Sequence, residues 1–109
     1  MNLIIGSHVS YNNKSQLLGS VKEALSYKAN TFMFYTGAPQ NTNRSVIEDS
    51  LTMEAYKLMK ENNIALEKVI VHAPYIVNLA NFNNFDFSVS FLINEVERCS
   101  TLGIKYLVL

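Results

Sequence analysis

Apolar residues along the chain change period several times, passing from short continuous runs to stripes at helical spacing and back. Leu3, Ile4 and Ile5 form a brief apolar run closed by Gly6, which suits a buried strand better than a helix. From Ser15 to about Tyr27, residues Leu17, Leu18, Val21, Ala24 and Leu25 fall on one face of a helix able to pack on a sheet. Thr31 to Thr36 is aromatic and β-branched and is stopped by Gly37-Ala38-Pro39, so it predicts a second strand. Ser45 and Glu48 have the spacing of a capping box, predicting a helix that turns Ile47, Leu51, Ala55, Leu58 and Met59 inward and ends near Asn62-Asn63. Lys68 to His72 carries the β-branched run Val69-Ile70-Val71, and Pro74 keeps a third strand from continuing. Asp86 is placed to cap a third helix with Val89, Leu92, Ile93, Val96 and Cys99 on its inner face and Gly103 as its left-handed stop. Tyr106 to Leu109 then begins a fourth strand.

Strand and helix alternate at nearly regular intervals, the mark of successive right-handed βαβ units on a parallel sheet, and the fold class is α/β. Two closures stay open at this point: a doubly wound sheet, or the first half of a (β/α)8 barrel, which typically takes about 250 residues. The chain stops inside an apolar strand, which reads as a truncated domain. With no linker, low-complexity tract or repeat, residues 1–109 read as part of a single domain.

Composition narrows the partners only a little. Nine basic side chains balance nine acidic ones, so contact with a phosphate backbone would have to come from a local surface. Cys99 is the only cysteine; it excludes an internal disulfide and a cysteine-rich zinc site, and it fits a reducing, cytoplasmic setting. The N-terminus lacks the basic and long apolar regions of a signal peptide, and no apolar run approaches spanning length, so no membrane partner is expected.

His8 and His72 both fall just past the ends of predicted strands, where active sites of parallel α/β folds are built. Imidazole is the commonest zinc ligand, but it pairs as readily with backbone, and a catalytic zinc usually takes three protein ligands. The carboxylates do not fill the gap: Glu23, Glu48, Asp49, Glu54, Glu61, Glu67, Glu95 and Glu97 lie on helices or helix-to-strand loops, and most of them read as solvated faces. The segment from Tyr35 to Arg44 is either an ordinary turn or a loop whose amides and Arg44 contact phosphate or a base edge. Tyr75 is either core packing or an aromatic wedge.

Three segments in register resemble endonuclease IV. They are Gly6-Ser7-His8-Val9-Ser10; then Ala29-Asn30-Thr31-Phe32 leading to Tyr35-Thr36-Gly37-Ala38-Pro39-Gln40-Asn41; then Val71-His72-Ala73-Pro74-Tyr75-Ile76-Val77-Asn78-Leu79. Glu95-Val96-Glu97-Arg98-Cys99 and Leu102-Gly103 follow where that family has them. The resemblance covers the whole chain and implies the first half of an eight-stranded β/α barrel. It implies an enzyme that cleaves double-stranded DNA on the 5′ side of an abasic site, leaves a 3′-hydroxyl and carries three zinc ions. Under it His72 is a zinc ligand, and His8 lines the same pocket without being a direct ligand. Tyr75 enters the duplex near the lesion, and Gln40 and Asn41 probe the displaced nucleotide. The chain departs from some members in having its nearest arginine at Arg44 instead of near Gln40.

The family's next zinc-binding histidine would follow the fourth strand, beyond Leu109, so the 109 residues alone are expected to be inactive while the full-length enzyme acts as a monomer. Two other readings are a non-catalytic remnant of the same ancestry and a related barrel isomerase or epimerase of small polyols. The Pro74-Tyr75 wedge and the Gln40 loop count against the last.

Overall fold

The computed structural model describes residues 5–37, 44–73 and 85–108. The elements run β1 (Gly6–His8), α1 (Gln16–Ser26), β2 (Thr31–Phe34), α2 (Asp49–Glu61), a 3-10 turn (Leu66–Lys68), β3 (Ile70–His72), α3 (Phe85–Leu102) and β4 (Tyr106–Val108). All three strand pairings are parallel, and the sheet order is β1-β2-β3-β4. That order resolves the choice between closures. A doubly wound sheet reverses direction at a switch point, whereas strands laid down consecutively are those of a β/α barrel.

The two faces of the sheet differ sharply. Phe32, Phe34 and Val71 are 2%, 0% and 0% exposed and pack with Leu17, Val21 and Ala24 of α1, Ala55 and Met59 of α2, and Cys99 and Leu102 of α3. Burying each of the two phenylalanines contributes about 1.5–3 kcal/mol. Alternation along the strands turns His8, Met33, Ile70, His72, Tyr106 and Val108 to the other face, where His8, Tyr106 and Val108 are exposed.

The first strand is displaced from its expected place. The apolar pattern makes Gly6 its terminator, yet Gly6 sits in the ladder opposite Thr31. A Cβ there would stand 2.7 Å from Thr31 Cγ2, so the missing side chain serves close approach of β2 and does not break the strand. Of the apolar run Leu3 to Ile5, only Ile5 is among the described residues; its N–H donates to Asn30 Oδ1, and its carbonyl accepts from the Asn30 N–H.

The capping box at Ser45 and Glu48 does not form. Helix α2 starts at Asp49, with Glu48 in extended conformation as its N-cap and no side-chain capping bond. The reason is competition from another helix: the Glu48 N–H, which the Ser45 hydroxyl would accept from, donates instead to Gln16 Oε1 of α1. Asp86 likewise sits inside the first turn of α3 and not at its cap. The body of α3 is rotated relative to its expected inner face. Phe91, Glu95, Arg98, Cys99 and Leu102 are buried, while Ile93 and Val96 are 54% and 52% exposed. Gly103, with φ +77°, supplies the predicted left-handed stop. Among the described residues no helix is long and apolar enough to cross a membrane.

Candidate active site

Parallel pairing brings the carboxyl ends of β1, β2 and β3 side by side, with His8 opposite Met33 and Phe34 opposite Val71. His8 and His72 are each the last residue of a strand, where the sequence pattern sets them just past strand ends. Between them stands Tyr35, directly after β2. Its ring centroid lies 5.0 Å from that of His8 and 5.1 Å from that of His72, at interplanar angles of 52° and 55°. Three rings thus form a row across three strand ends on the face away from the helices. Tyr35 is the member that residue-by-residue chemistry does not single out. Its signal is the alternation itself, which puts Met33 and Tyr35 on the face opposite Phe32 and Phe34.

His72 is prepared to act as a ligand through one nitrogen. Its Nδ1 lies 2.7 Å from the carbonyl oxygen of Ala73. A carbonyl only accepts, so Nδ1 carries the proton and the lone pair is on Nε2. This backbone contact to the second ring nitrogen is the arrangement that holds metal-binding imidazoles in one tautomer. His8 and His72 end strands two apart in the sheet, and the Tyr35 ring contacts both of theirs. Among the described residues no group of three His, Cys, Asp or Glu side chains is placed to hold a metal ion. The donor chemistry therefore fits zinc at His72 as a single ligand.

Behind this row, at the same end of β2, lies a buried charged cluster. Thr36 and Glu95 are 0% exposed, and Arg98 is 8% exposed. Thr36 Oγ1 donates to Glu95 Oε2 at 2.6 Å and accepts from Arg98 Nε at 3.0 Å. The Thr36 carbonyl accepts from Arg98 Nη2 at 2.9 Å, and the Ser45 carbonyl accepts from Arg98 Nη1 at 2.5 Å. Arg44 Nε donates to Glu95 Oε1 at 2.7 Å, with side-chain exposures of 5% and 0% for the pair. The guanidinium of Arg44 also lies over the Phe91 ring, 4.9 Å from its centroid. It packs so closely on Gly37 that a Cβ there would meet Arg44 Cδ at 2.7 Å. Tyr11 stacks on Phe34 beside this cluster, with centroids 5.5 Å apart. Burial pushes its hydroxyl above the usual tyrosine range, with Arg98 pulling the other way.

This cluster bears on two expectations from the sequence. The loop pattern offers Arg44 to phosphate; the structure also pairs its Nε with buried Glu95, a contact the loop pattern does not announce. Glu95, expected on a solvated face, is instead the acceptor at the centre of the cluster. Its signal lies in the spacing of Phe91, Glu95, Arg98 and Leu102, which is that of one helical face. Gln40 and Asn41 of the loop after β2, and Tyr75 after β3, lie outside the described residues.

No protein-family model matches the chain. It is 50% identical to a Mesoplasma florum protein named "Probable endonuclease 4" across 97% of its own length, and 54% identical to a Ureaplasma parvum protein of the same name across 99%. It spans 39% and 36% of those relatives' lengths. Among solved structures, endonuclease IV from Thermus thermophilus superposes with a TM-score of 0.78 at 25% identity, covering 94% of this chain and 38% of that one. The match thus covers nearly every residue of the chain, which belongs to the endonuclease IV family as the counterpart of its N-terminal portion.

Proposed function

We propose that this chain is the N-terminal part of a single barrel domain in a zinc-dependent endonuclease of base-excision repair. The full-length enzyme hydrolyses the phosphodiester 5′ to abasic sites in double-stranded DNA, leaves a 3′-hydroxyl, and works as a cytoplasmic monomer with three zinc ions. The observation that carries this reading is the row His8, Tyr35 and His72 at three neighbouring strand ends, in a chain half identical to proteins named endonuclease 4.

Zinc, when bound, supplies Lewis acidity toward the phosphate and a hydroxide near neutral pH. His72 holds it through Nε2, with the Ala73 carbonyl fixing the ring. His8 lines the pocket, and Tyr35 keeps the two imidazoles apart. Gln40, Asn41 and Tyr75 contact the DNA, Tyr75 as a wedge that distorts the duplex. An abasic nucleotide has no base to unstack, so it leaves the helix at lower free-energy cost than an intact one.

The test is His72→Ala in the full-length protein, which should lower zinc content and cut abasic-site cleavage by at least about 10-fold. Unchanged zinc stoichiometry by elemental analysis together with unchanged turnover would remove His72 from the metal site. Tyr75→Ala should weaken binding to abasic duplex while leaving zinc content intact; equal affinity would make Tyr75 a packing residue. The 109-residue chain alone should not nick an abasic duplex in excess zinc, because one ligand does not hold a metal cluster against water.

A further inference from the structure

We propose that Glu95 and Arg98 are positioning residues, acting through Thr36 to clamp the stem of the loop after β2 and to hold Tyr35 in place between the two histidines. The loop leaves the sheet at Thr36-Gly37 and returns at Arg44-Ser45. Both legs are gripped from α3 by the same two side chains. Glu95 accepts from Thr36 on the outgoing leg and from Arg44 on the returning one. Arg98 donates to Thr36 Oγ1 and to the Thr36 carbonyl on one side, and to the Ser45 carbonyl on the other.

Helix α1 completes the grip on the returning leg. Gln16, 2% exposed, donates through Nε2 to the Val46 carbonyl and accepts from the Glu48 N–H. Arg44, Ser45, Val46 and Glu48 are therefore each bonded to a side chain of another element, in a stretch outside helix and strand whose tie to α2 is the Glu48 carbonyl, which accepts from the Thr52 N–H. A covalently adjacent pair links this clamp to the site: Tyr35 carries the ring between His8 and His72, and Thr36 is the node of the cluster. A planar guanidinium with donors in a fixed fork is suited to this task, since it bonds a hydroxyl and two carbonyls at set angles, which a lysine does not reproduce.

A buried charge cluster could equally serve stability alone, so the test separates the hydroxyl of Thr36 from its shape. It rests on the abasic-endonuclease reading for its kinetic arm and not for its structural arm. In the full-length protein, Thr36→Val keeps the shape and loses the hydroxyl, while Thr36→Ser keeps the hydroxyl and loses the methyl. Thr36→Val should raise the KM for an abasic duplex about 10-fold with kcat within about twofold, and Thr36→Ser should bind as wild type even where it melts lower. Hydrogen exchange of peptides covering residues 35–46 should quicken in Thr36→Val and not in Thr36→Ser, with α1 peptides unchanged in both.

If Thr36→Val does not fold, Arg98→Lys, which keeps the charge but not the fork, is expected to give the same rise in KM. Equal impairment of the two Thr36 variants, or a loss that follows melting temperature and not the hydroxyl, overturns the proposal. A wild-type protein that fails to nick the duplex refutes the endonuclease reading instead, and the clamp is then decided by the exchange data alone.

Discussion

The end of β2 separates two groups of polar side chains that differ in what they leave unsatisfied. On the open face, His8, Tyr35 and His72 meet ring to ring, and half-buried His72 is bonded through Nδ1 to a neighbouring carbonyl. On the helix side, Thr36, Glu95, Arg44 and Arg98 bond to one another and to backbone, nearly closed off from solvent. A carboxylate and two guanidiniums out of water are tolerated only when they are paired and hydrogen-bonded, so this group is committed to holding the chain. An imidazole whose Nδ1 is engaged by a backbone carbonyl keeps Nε2 for a metal, which suits it to be a ligand. The contrast assigns chemistry to the accessible row and geometry to the buried cluster, although the buried cluster holds all the formal charge.

The contrast breaks most visibly if the buried group proves dispensable. Glu95→Ala removes the carboxylate to which Arg44 and the Thr36 hydroxyl both donate, and removing one partner of a buried pair typically costs about 3–5 kcal/mol. Urea unfolding of the full-length protein should show a loss of that order, and a midpoint unchanged from wild type would mean water reaches the cluster freely. Gly37→Ala should follow, at about 1–3 kcal/mol, because its methyl would meet Arg44 Cδ and Nη1, both at 2.7 Å. The arginine is held by Glu95 and does not swing aside without giving up that bond. Tyr35→Leu sharpens the comparison from the other side: it should lower the urea midpoint less than Glu95→Ala does, since it leaves no buried charge unpaired, while lowering abasic-site cleavage. A stability loss as large as that of Glu95→Ala would place Tyr35 with the structural group.

Much of this arrangement is legible in the sequence because it rests on period. The three later strands and all three helices fall where alternation and helical spacing put them, and His72 stands at a strand end as its position implies. What escapes rests on partners far apart in the chain. Ser45 and Glu48 have the local spacing of a capping box, but Gln16, on another helix, takes the Glu48 N–H it would have used. Helix α3 has two stripes to choose from. The more apolar one, with Ile93 and Val96, faces away from the elements of these 109 residues, and the one with Glu95 and Arg98 packs toward the end of β2, where Thr36 and Arg44 satisfy its charges. Hydrophobicity counted per residue scores that face as polar; only the knowledge that a second arginine returns on the loop at Arg44 makes it a core face.

The smallest effect concerns Cys99, which belongs by burial to the structural side. The residue is 4% exposed, and burial, with help from the nearby Glu95 charge, pushes its thiol pKa from 9.0 up to about 11. The folded state therefore holds this proton more tightly than the unfolded chain does. The associated stability is fully present below pH 9 and is lost as pH rises through about 11. Since the thiolate is the nucleophile, Cys99 in the folded full-length protein should resist alkylation by iodoacetamide at about pH 7–8 and react fully once urea unfolds it. Mass spectrometry of the peptide carrying Cys99, with and without urea across roughly pH 7 to 10, reads this directly. Rapid labelling of the native protein at about pH 7 would mean that the face of α3 bearing Glu95, Arg98 and Cys99 opens to solvent, and the distinction between a holding side and a reacting side would then fail at its most buried point.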